Sequence, residues 1–545
     1  MSVPVTTEAA LLVDVGSAWT KASLIGRARG RWRVVAHAAG PTSWGAAELD
    51  RALVAQLAES ADHRLAGALE GLVAGANRIE CHTARRPGRL AIVAVSRELS
   101  GAAARRAAES AGWDVAELAT LDDGRSLAER IETLQAAEVD AWLLAGGFDD
   151  GRSQRALEVA ALVAAARRPE SSPVIWAGSA ALAAEVAGLF EDDAVATVAN
   201  PRPDAGAEAG AELRSHLEVL LRRTLEPESE IHLAPVALRR AVREIARAGG
   251  LHVLGVDIGA RYAVRANATP DGDVESRVFA NGGMSTMAGA GPTLAARVAR
   301  ALGHGVDEPA VADLLQNLRA RPTSLPQTDD ELAVIQAAAR IQLASMAEDA
   351  PVAGVDLLIG TGRTLASAPQ PGQAARMLID GLRPLGVTQL ALDPAGLLGP
   401  LGALPDDEIT EGVALLADDI VVSLGTAVVS RGGEPGRLAM RVTVHRAGWP
   451  SRAPIELRAG QLQIVSLPAG QEAELVIEPA DGVSLGAPRR SPRIHAAATG
   501  GSVGLILDAR GVPIVLPRRA DDRRAVLLGW HDAFQREATA AEALG

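Results

Sequence analysis

Residues 11–39 alternate short apolar runs with tight turns and predict three strands, at 11–15, 20–25 and 32–38. Gly26 to Gly30 supplies the turn between the second and third. An Ala/Leu/Glu pattern of helical period follows over residues 46–75. The rhythm changes after residue 89. Short apolar runs at 90–95, 115–118, 139–144, 174–176 and 194–198 predict strands, and Ala-rich segments at 100–111, 124–136, 153–167 and 178–189 predict helices between them. Such alternation implies a parallel, doubly wound sheet. Residues 206–249 read as mostly helical, broken near Pro227 and Pro235.

The opening then repeats. Leu254-Gly255-Val256-Asp257-Ile258-Gly259 restates Leu12-Val13-Asp14-Val15-Gly16, and strands at 262–268 and 274–280 flank a Pro270-Asp271-Gly272 turn. One Asp-x-Gly turn is weak evidence. Two, each opening a three-stranded meander, predict a duplicated fold with two pseudo-symmetric lobes. Residues 285–347 read as helical around a polar loop at 321–330. Residues 355–364 read as strand, glycine turn and helix; 387–392 as strand; 406–417 as helix. Beyond residue 430, short strands at 438–445, 454–457, 462–467, 472–477 and 502–507 predict a separate β-rich domain, a sandwich or barrel, with no catalytic constellation.

Composition narrows the class. A chain of 545 residues with 48% hydrophobic but only 2% aromatic positions must build its cores from Ala, Leu and Val. A formal charge of −13 speaks against a nucleic-acid or anionic-membrane surface. The arginine doublets 239–240, 489–490, 518–519 and 523–524 are interleaved with acids and read as solvated faces. Cys81 is the one cysteine, so no intramolecular disulfide and no cysteine zinc site can form, and Cys81 and His82 read as structural or incidental. Residues 1–10 lack the pattern of a signal peptide, and no apolar run reaches about 18 residues, so a cytoplasmic protein is the default expectation.

The 54 Lys and Arg positions include a single lysine, Lys21, at the end of Asp14-Val15-Gly16-Ser17-Ala18-Trp19-Thr20-Lys21. A lysine ammonium is a compact point charge suited to a phosphate oxygen. Chance in an arginine-biased chain is the other reading. If the lobes share a cleft, Asp14 and Asp257 would face each other across it and hold Mg²⁺, mostly through water, against nucleotide phosphates. They would be the catalytic and metal-binding carboxylates. Gly16 and Gly259 would let backbone N–H groups reach the phosphates. Ser17, Thr20 and Lys21 would add donors, and Gly360, Thr361 and Gly362 would let the adenosine of ATP lie close to backbone. The run Gly146-Gly147-Phe148-Asp149-Asp150-Gly151 meets a strand end, where open α/β sheets place ligands; a loop with helix-capping acids is the plainer reading.

This layout resembles the actin, sugar kinase and Hsp70 superfamily of ATPases. Within it the chain is similar to the MutL/GlmL family, the accessory protein encoded beside adenosylcobalamin-dependent glutamate mutase, unrelated to the mismatch-repair protein of the same name. The resemblance rests on residues 12–21, on Leu143-Leu144-Ala145-Gly146-Gly147-Phe148-Asp149-Asp150-Gly151, on Val256-Asp257-Ile258-Gly259 and on Leu358-Ile359-Gly360-Thr361-Gly362, in fitting order over roughly residues 10–430. It implies an α/β fold of duplicated actin-like (ribonuclease H-like) ATPase lobes with an α/β insertion and a C-terminal β-rich domain. The implied divisions are 1–85 and 251–430 for the lobes, 86–250 for the insertion and helical connection, and 431–545 for the β-rich part. It also implies a chaperone or reactivating role toward an adenosylcobalamin-dependent mutase, with ATP and Mg²⁺ as cofactors and neither nucleic acid nor membrane as partner.

The chain departs from that family at the second phosphate loop. Where the family typically continues Gly-Gly-Ala-Thr-Thr-Asp, the sequence reads Gly259-Ala260-Arg261-Tyr262-Ala263-Val264. Two hydroxyls and an acid are gone; Arg261 either offers a replacement charge or points to solvent. Loss of such groups can remove transition-state stabilisation while nucleotide binding persists, so a slow ATPase and a nucleotide sensor are both open. A small-molecule kinase, with Asp149 or Asp150 as base, and a non-catalytic scaffold are the alternatives. No Gly-x-x-x-x-Gly-Lys loop, dinucleotide fingerprint, Ser-His-Asp arrangement, metal-spaced histidine pair or Asp-x-His-x-x-Gly string is present.

Overall fold

A computed structural model of the chain describes residues 9–535, apart from residues 29, 61–65, 85, 152, 168–171, 191–194, 226–231, 288–291, 304–305, 348–351, 447, 449–452 and 487–492. Residues 1–8, Pro227, Arg489 and Arg490 therefore lie outside the described residues. The chain divides into two compact units: residues 1–80, 240–273 and 281–545 form the larger, and residues 81–239 with 274–280 the smaller.

In the larger unit the first hairpin pairs Ala9–Val15 with Trp19–Ala28, which pairs in turn with Arg31–Pro41, all antiparallel. The second strand runs past the turn expected at Gly26. Gly26 pairs with Arg33 and Arg27 with Trp32, and the Arg27 guanidinium lies 4.9 Å from the Trp32 ring centroid. That cation–π contact extends the ladder. The second hairpin, Val253–Ile258 with Ala263–Ala268, repeats the scheme. Val253–Ile258 also pairs in parallel with Leu357–Thr361, and that strand with Gly386–Leu392. This is a duplicated α/β fold in which each lobe opens on an Asp-x-Gly hairpin, with a β-rich C-terminal region.

That region is continuous with the second sheet. Val422–Val429, a strand absent from the sequence reading, pairs antiparallel with Gly386–Leu392 and parallel with Gly504–Asp508, which receives Leu462–Val465. A four-stranded sheet, ordered Ile455–Arg458, Leu438–His445, Glu472–Pro479 and Ile494–Thr499, packs against it. Their shared core holds Val428, Leu505 and Leu507 with Leu457, Leu475 and Ile477. A final helix, Ala520–Gln535, also went unseen: its charged opening, Asp521 to Arg524, masks an apolar stripe in which Leu527 and Phe534 are buried.

The smaller unit has the expected doubly wound sheet. Its strands lie in the order Asp114–Thr120, Arg89–Ala94, Ala141–Ala145, Val174–Trp176, Ala196–Thr197, every neighbour parallel. Strand period two explains its two apolar faces. Leu90, Ile92 and Ala94 join one core with Leu213, Leu217 and Leu221, while Ala91 and Val93 join the other with Val159 and Val163.

The doublet Arg239-Arg240 is a correction. Arg239 is buried and bonds Glu218 at 2.5 Å, and Arg240 donates to Gly402 O, Leu404 O and Asp406. Guanidinium forks on backbone carbonyls do structural work that a solvated face cannot. Cys81 is buried. No helix among the described residues is long and apolar enough to cross a membrane.

Candidate functional site

The two Asp-x-Gly turns close alike. Gly16 N donates to Trp19 O at 3.0 Å, and Gly259 N to Tyr262 O at 3.2 Å. In the first hairpin Asp14 stands directly across from Lys21, so both side chains share one face of the sheet. The ammonium meets Asp14 Oδ2 at 3.1 Å, and Lys21 is only 7% exposed. Burial alone would depress the Lys21 pKa; Asp14, Asp257 and Asp393 together outweigh it and hold the ammonium above its ordinary value.

Asp257 pairs across the parallel ladder with Thr361, whose hydroxyl donates to Asp393 Oδ2 at 3.0 Å. Asp393 follows the strand Gly386–Leu392 and also accepts from Leu398 N at 2.9 Å. Burial drives the Asp257 pKa up to about 6; Lys21 opposes that shift, and Asp14 and Asp393 add to it. One ammonium thus serves three carboxylates. Asp257 Oδ1 and Asp393 Oδ1 are buried without a hydrogen-bond partner.

Two glycines make the packing possible. Gly362 has φ +93°, and a Cβ there would stand 2.3 Å from Asp257 Oδ1. Gly396 has φ +69°, and a Cβ there would stand 2.4 Å from Lys21 Nζ. A Gly362→Ala variant combines left-handed backbone with a clash against a carboxylate. It should lose at least about 2 kcal/mol in denaturant unfolding; an unchanged midpoint would contradict this placement.

Beside the turns opens a cavity of about 840 Å³. Ser17 reaches it from the first loop, and Ala260 and Arg261 from the second. Arg297 and Arg319 also line it, and among the described residues no acid does. Ser285 Oγ donates to Ala260 O and Thr286 Oγ1 to Arg261 O, each at 2.6 Å, bracing the second loop from behind. The second loop thus sets the Arg261 guanidinium on the cavity wall.

The other expected site residues play varied parts. Thr20 Oγ1 donates to Thr42 Oγ1 at 3.1 Å, and Thr42 Oγ1 to Gly16 O at 2.7 Å, so Thr20 braces the first turn. Gly360, Thr361 and Gly362 lie against Asp257 and Asp393. The Arg363 side chain stacks on Trp19 at 4.1 Å, joining that turn to the first loop. In the smaller unit, Asn200 Nδ2 donates to Gly147 O at 2.8 Å and to Asp149 Oδ1 at 3.0 Å, so Asp149 ties its own loop shut. Arg297, Arg319 and Asp393 were missed by sequence reasoning; the Asp393-Pro394-Ala395-Gly396 turn just after a strand is the one signal that could have found the last.

Mg²⁺ fits the donor set. Three carboxylates against one ammonium leave a negative excess, two of their oxygens are orphaned, and oxygen is the ligand this ion prefers. Among the described residues no three acidic, His or Cys side chains converge tightly enough to ligate a metal on their own. Water and phosphate would therefore complete its shell.

A family model described as MutL protein matches residues 10–420. No curated protein matches the chain. Among solved structures, a nucleotide-free acetone carboxylase is 10% identical, with 83% of this chain and 81% of that one covered and a TM-score of 0.28. Component A of (R)-2-hydroxyglutaryl-CoA dehydratase from Acidaminococcus fermentans is 11% identical, covering 72% and 95%, with a TM-score of 0.26. A ROK family glucokinase from Streptomyces griseus, in complex with glucose and AMPPNP, is 12% identical, covering 72% and 97%, with a TM-score of 0.23.

Proposed function

The chain belongs to the MutL family, and from that premise we propose that it is a nucleotide-binding accessory protein acting on an adenosylcobalamin-dependent mutase as a chaperone or reactivating factor. One observation carries the nucleotide half of this reading. The two Asp-x-Gly turns, from two different sheets, meet at a single cavity whose charged lining, among the described residues, is cationic.

In this proposal ATP places its phosphates between Ser17 and Arg261, within reach of Arg297 and Arg319. Guanidinium groups bind phosphate through paired donors. Asp14, Asp257 and Asp393 would hold Mg²⁺ through water, and the ion would neutralise phosphate charge. Lys21 orders those carboxylates and limits their mutual repulsion. The Trp19–Arg363 stack and the Ser285 and Thr286 bonds fix both loops before ligand arrives, which lowers the ordering cost of binding. Nucleotide state then changes affinity for the partner only if ATP favours one arrangement of the chain over another.

The test is thermal unfolding with and without Mg·ATP. Saturation at a hundredfold the dissociation constant should raise stability by about 2.7 kcal/mol. No shift with ATP or ADP would defeat the nucleotide reading. Phosphate release stimulated by mutase subunits supports the accessory role; release stimulated by a small metabolite instead would turn the reading to a kinase.

A further inference from the structure

A second cavity, of about 680 Å³, lies wholly within the larger unit. Ile341, Val352, Leu385, Val512, Leu527 and Trp530 give it apolar walls. Among the described residues its charged lining is unbalanced: Arg297, Arg300, Arg340, Arg383 and Arg431 face it, against Asp380. Arg297, Arg300 and Arg431 are exposed and make no ion pair among the described residues.

Behind the wall the imbalance continues. Arg340, Arg376, Arg383 and Arg510 share two carboxylates, Asp380 and Asp508. Arg383 Nε and Arg510 Nη1 are buried without a hydrogen-bond partner, and Arg510 Nη2 lies 2.6 Å from Asp380 Oδ1. Arg340 holds Asp380 only at 3.8 Å and Ala301 O at 3.3 Å. Burial, reinforced by Arg376 and Arg510 and opposed by Asp380, presses its pKa down to about 9. Buried cations in excess cost free energy unless an anion meets them.

We propose that this cavity binds an amphipathic anion, an acyl-type hydrocarbon body lying against the apolar walls and a carboxylate or phosphate head on the guanidinium groups. A volume of 680 Å³ is in the range of small-molecule sites, which pair apolar walls with a few placed polar groups. The Trp530 ring both lines the cavity and stacks under the Arg510 guanidinium, at 4.7 Å, so a bound molecule perturbs its emission. The proposal does not rest on the nucleotide reading; Arg297 and Ile341 line both cavities.

Decanoate, decyl phosphate, decanol and decyltrimethylammonium would be titrated into the full chain, with heat and tryptophan emission recorded. One saturable site is expected for the two anions, at least about tenfold tighter than for decanol, because the neutral head leaves the guanidinium groups unmet. The preferred head separates carboxylate from phosphate. The double variant R300E/R431E changes only exposed side chains and should keep its circular dichroism while losing at least about tenfold in anion affinity. In W530F the heat should persist and most of the emission change vanish. Equal binding of decanol or of the cation, no binding of either anion, unchanged affinity in R300E/R431E, or an undiminished emission change in W530F would each overturn the proposal.

Discussion

Replacing Lys21 by methionine is expected to lower the free energy of unfolding by about 3–5 kcal/mol, the cost of leaving buried charge without its partner. Asp14, Asp257 and Asp393 all act on this ammonium, and it is almost wholly shielded from water. Methionine matches the apolar stem of the side chain and lacks only the ammonium, so the loss isolates the charge. Lys21→Arg should recover little of it. The Gly396 backbone leaves no room beside Nζ, and a flat guanidinium fork is wider than an ammonium. That crowding is a physical reason for one lysine in a chain otherwise confined to arginine. Urea unfolding of the two variants decides the matter. If Lys21→Met unfolds at the wild-type midpoint, or Lys21→Arg is as stable as wild type, the ammonium does not hold this cluster. Mg·ATP affinity should fall in both variants, because the carboxylates that would meet the ion through water lose their spacing.

Asp508→Asn should cost a similar amount, about 3–5 kcal/mol. Asp508 is fully buried and accepts from Arg383 Nη1 at 2.5 Å, from Arg510 Nη2 at 2.8 Å and from Arg510 Nε at 3.1 Å. An amide would turn one oxygen into a donor facing guanidinium donors. The same site makes an acid-stability prediction. Burial would raise the Asp508 pKa, but Arg383 and Arg510 overcome it and hold the carboxyl well below the usual carboxylate range. In the unfolded chain it binds a proton near the ordinary value of about 3.9. Its stabilisation is therefore complete above about pH 4 and drains as the pH falls below that, because the unfolded state takes up the proton first. Stability of the wild type should slope downward below about pH 4, and the slope should flatten in Asp508→Asn. Parallel acid profiles for the two proteins would remove Asp508 from the account.

Much of this molecule was legible along the chain. Leu11, Leu12 and Val13 before Asp14, and Val253, Leu254 and Val256 around Asp257, mark two buried strands through short-range pattern alone. The Asp14–Lys21 pair was also within reach. A hairpin closing at Gly16 places those two residues opposite each other, and cross-strand charges attract. Two later features were harder to see. Val422–Val429 follows a helical stretch without a turn signal, and Ala520–Gln535 hides its apolar stripe beneath acids and arginines. Their burial comes from neighbours far away in sequence.

Periodicity and turn chemistry act over a few residues, so the duplication, the alternation in the smaller unit and the two Asp-x-Gly turns are written along the chain. What Lys21 faces, that Asp393 joins it, and that Arg261, Arg297 and Arg319 share one cavity come from long-range packing. Charge pairing and cavity lining depend on distance in space. They are settled when separate loops converge, and no local pattern encodes that convergence.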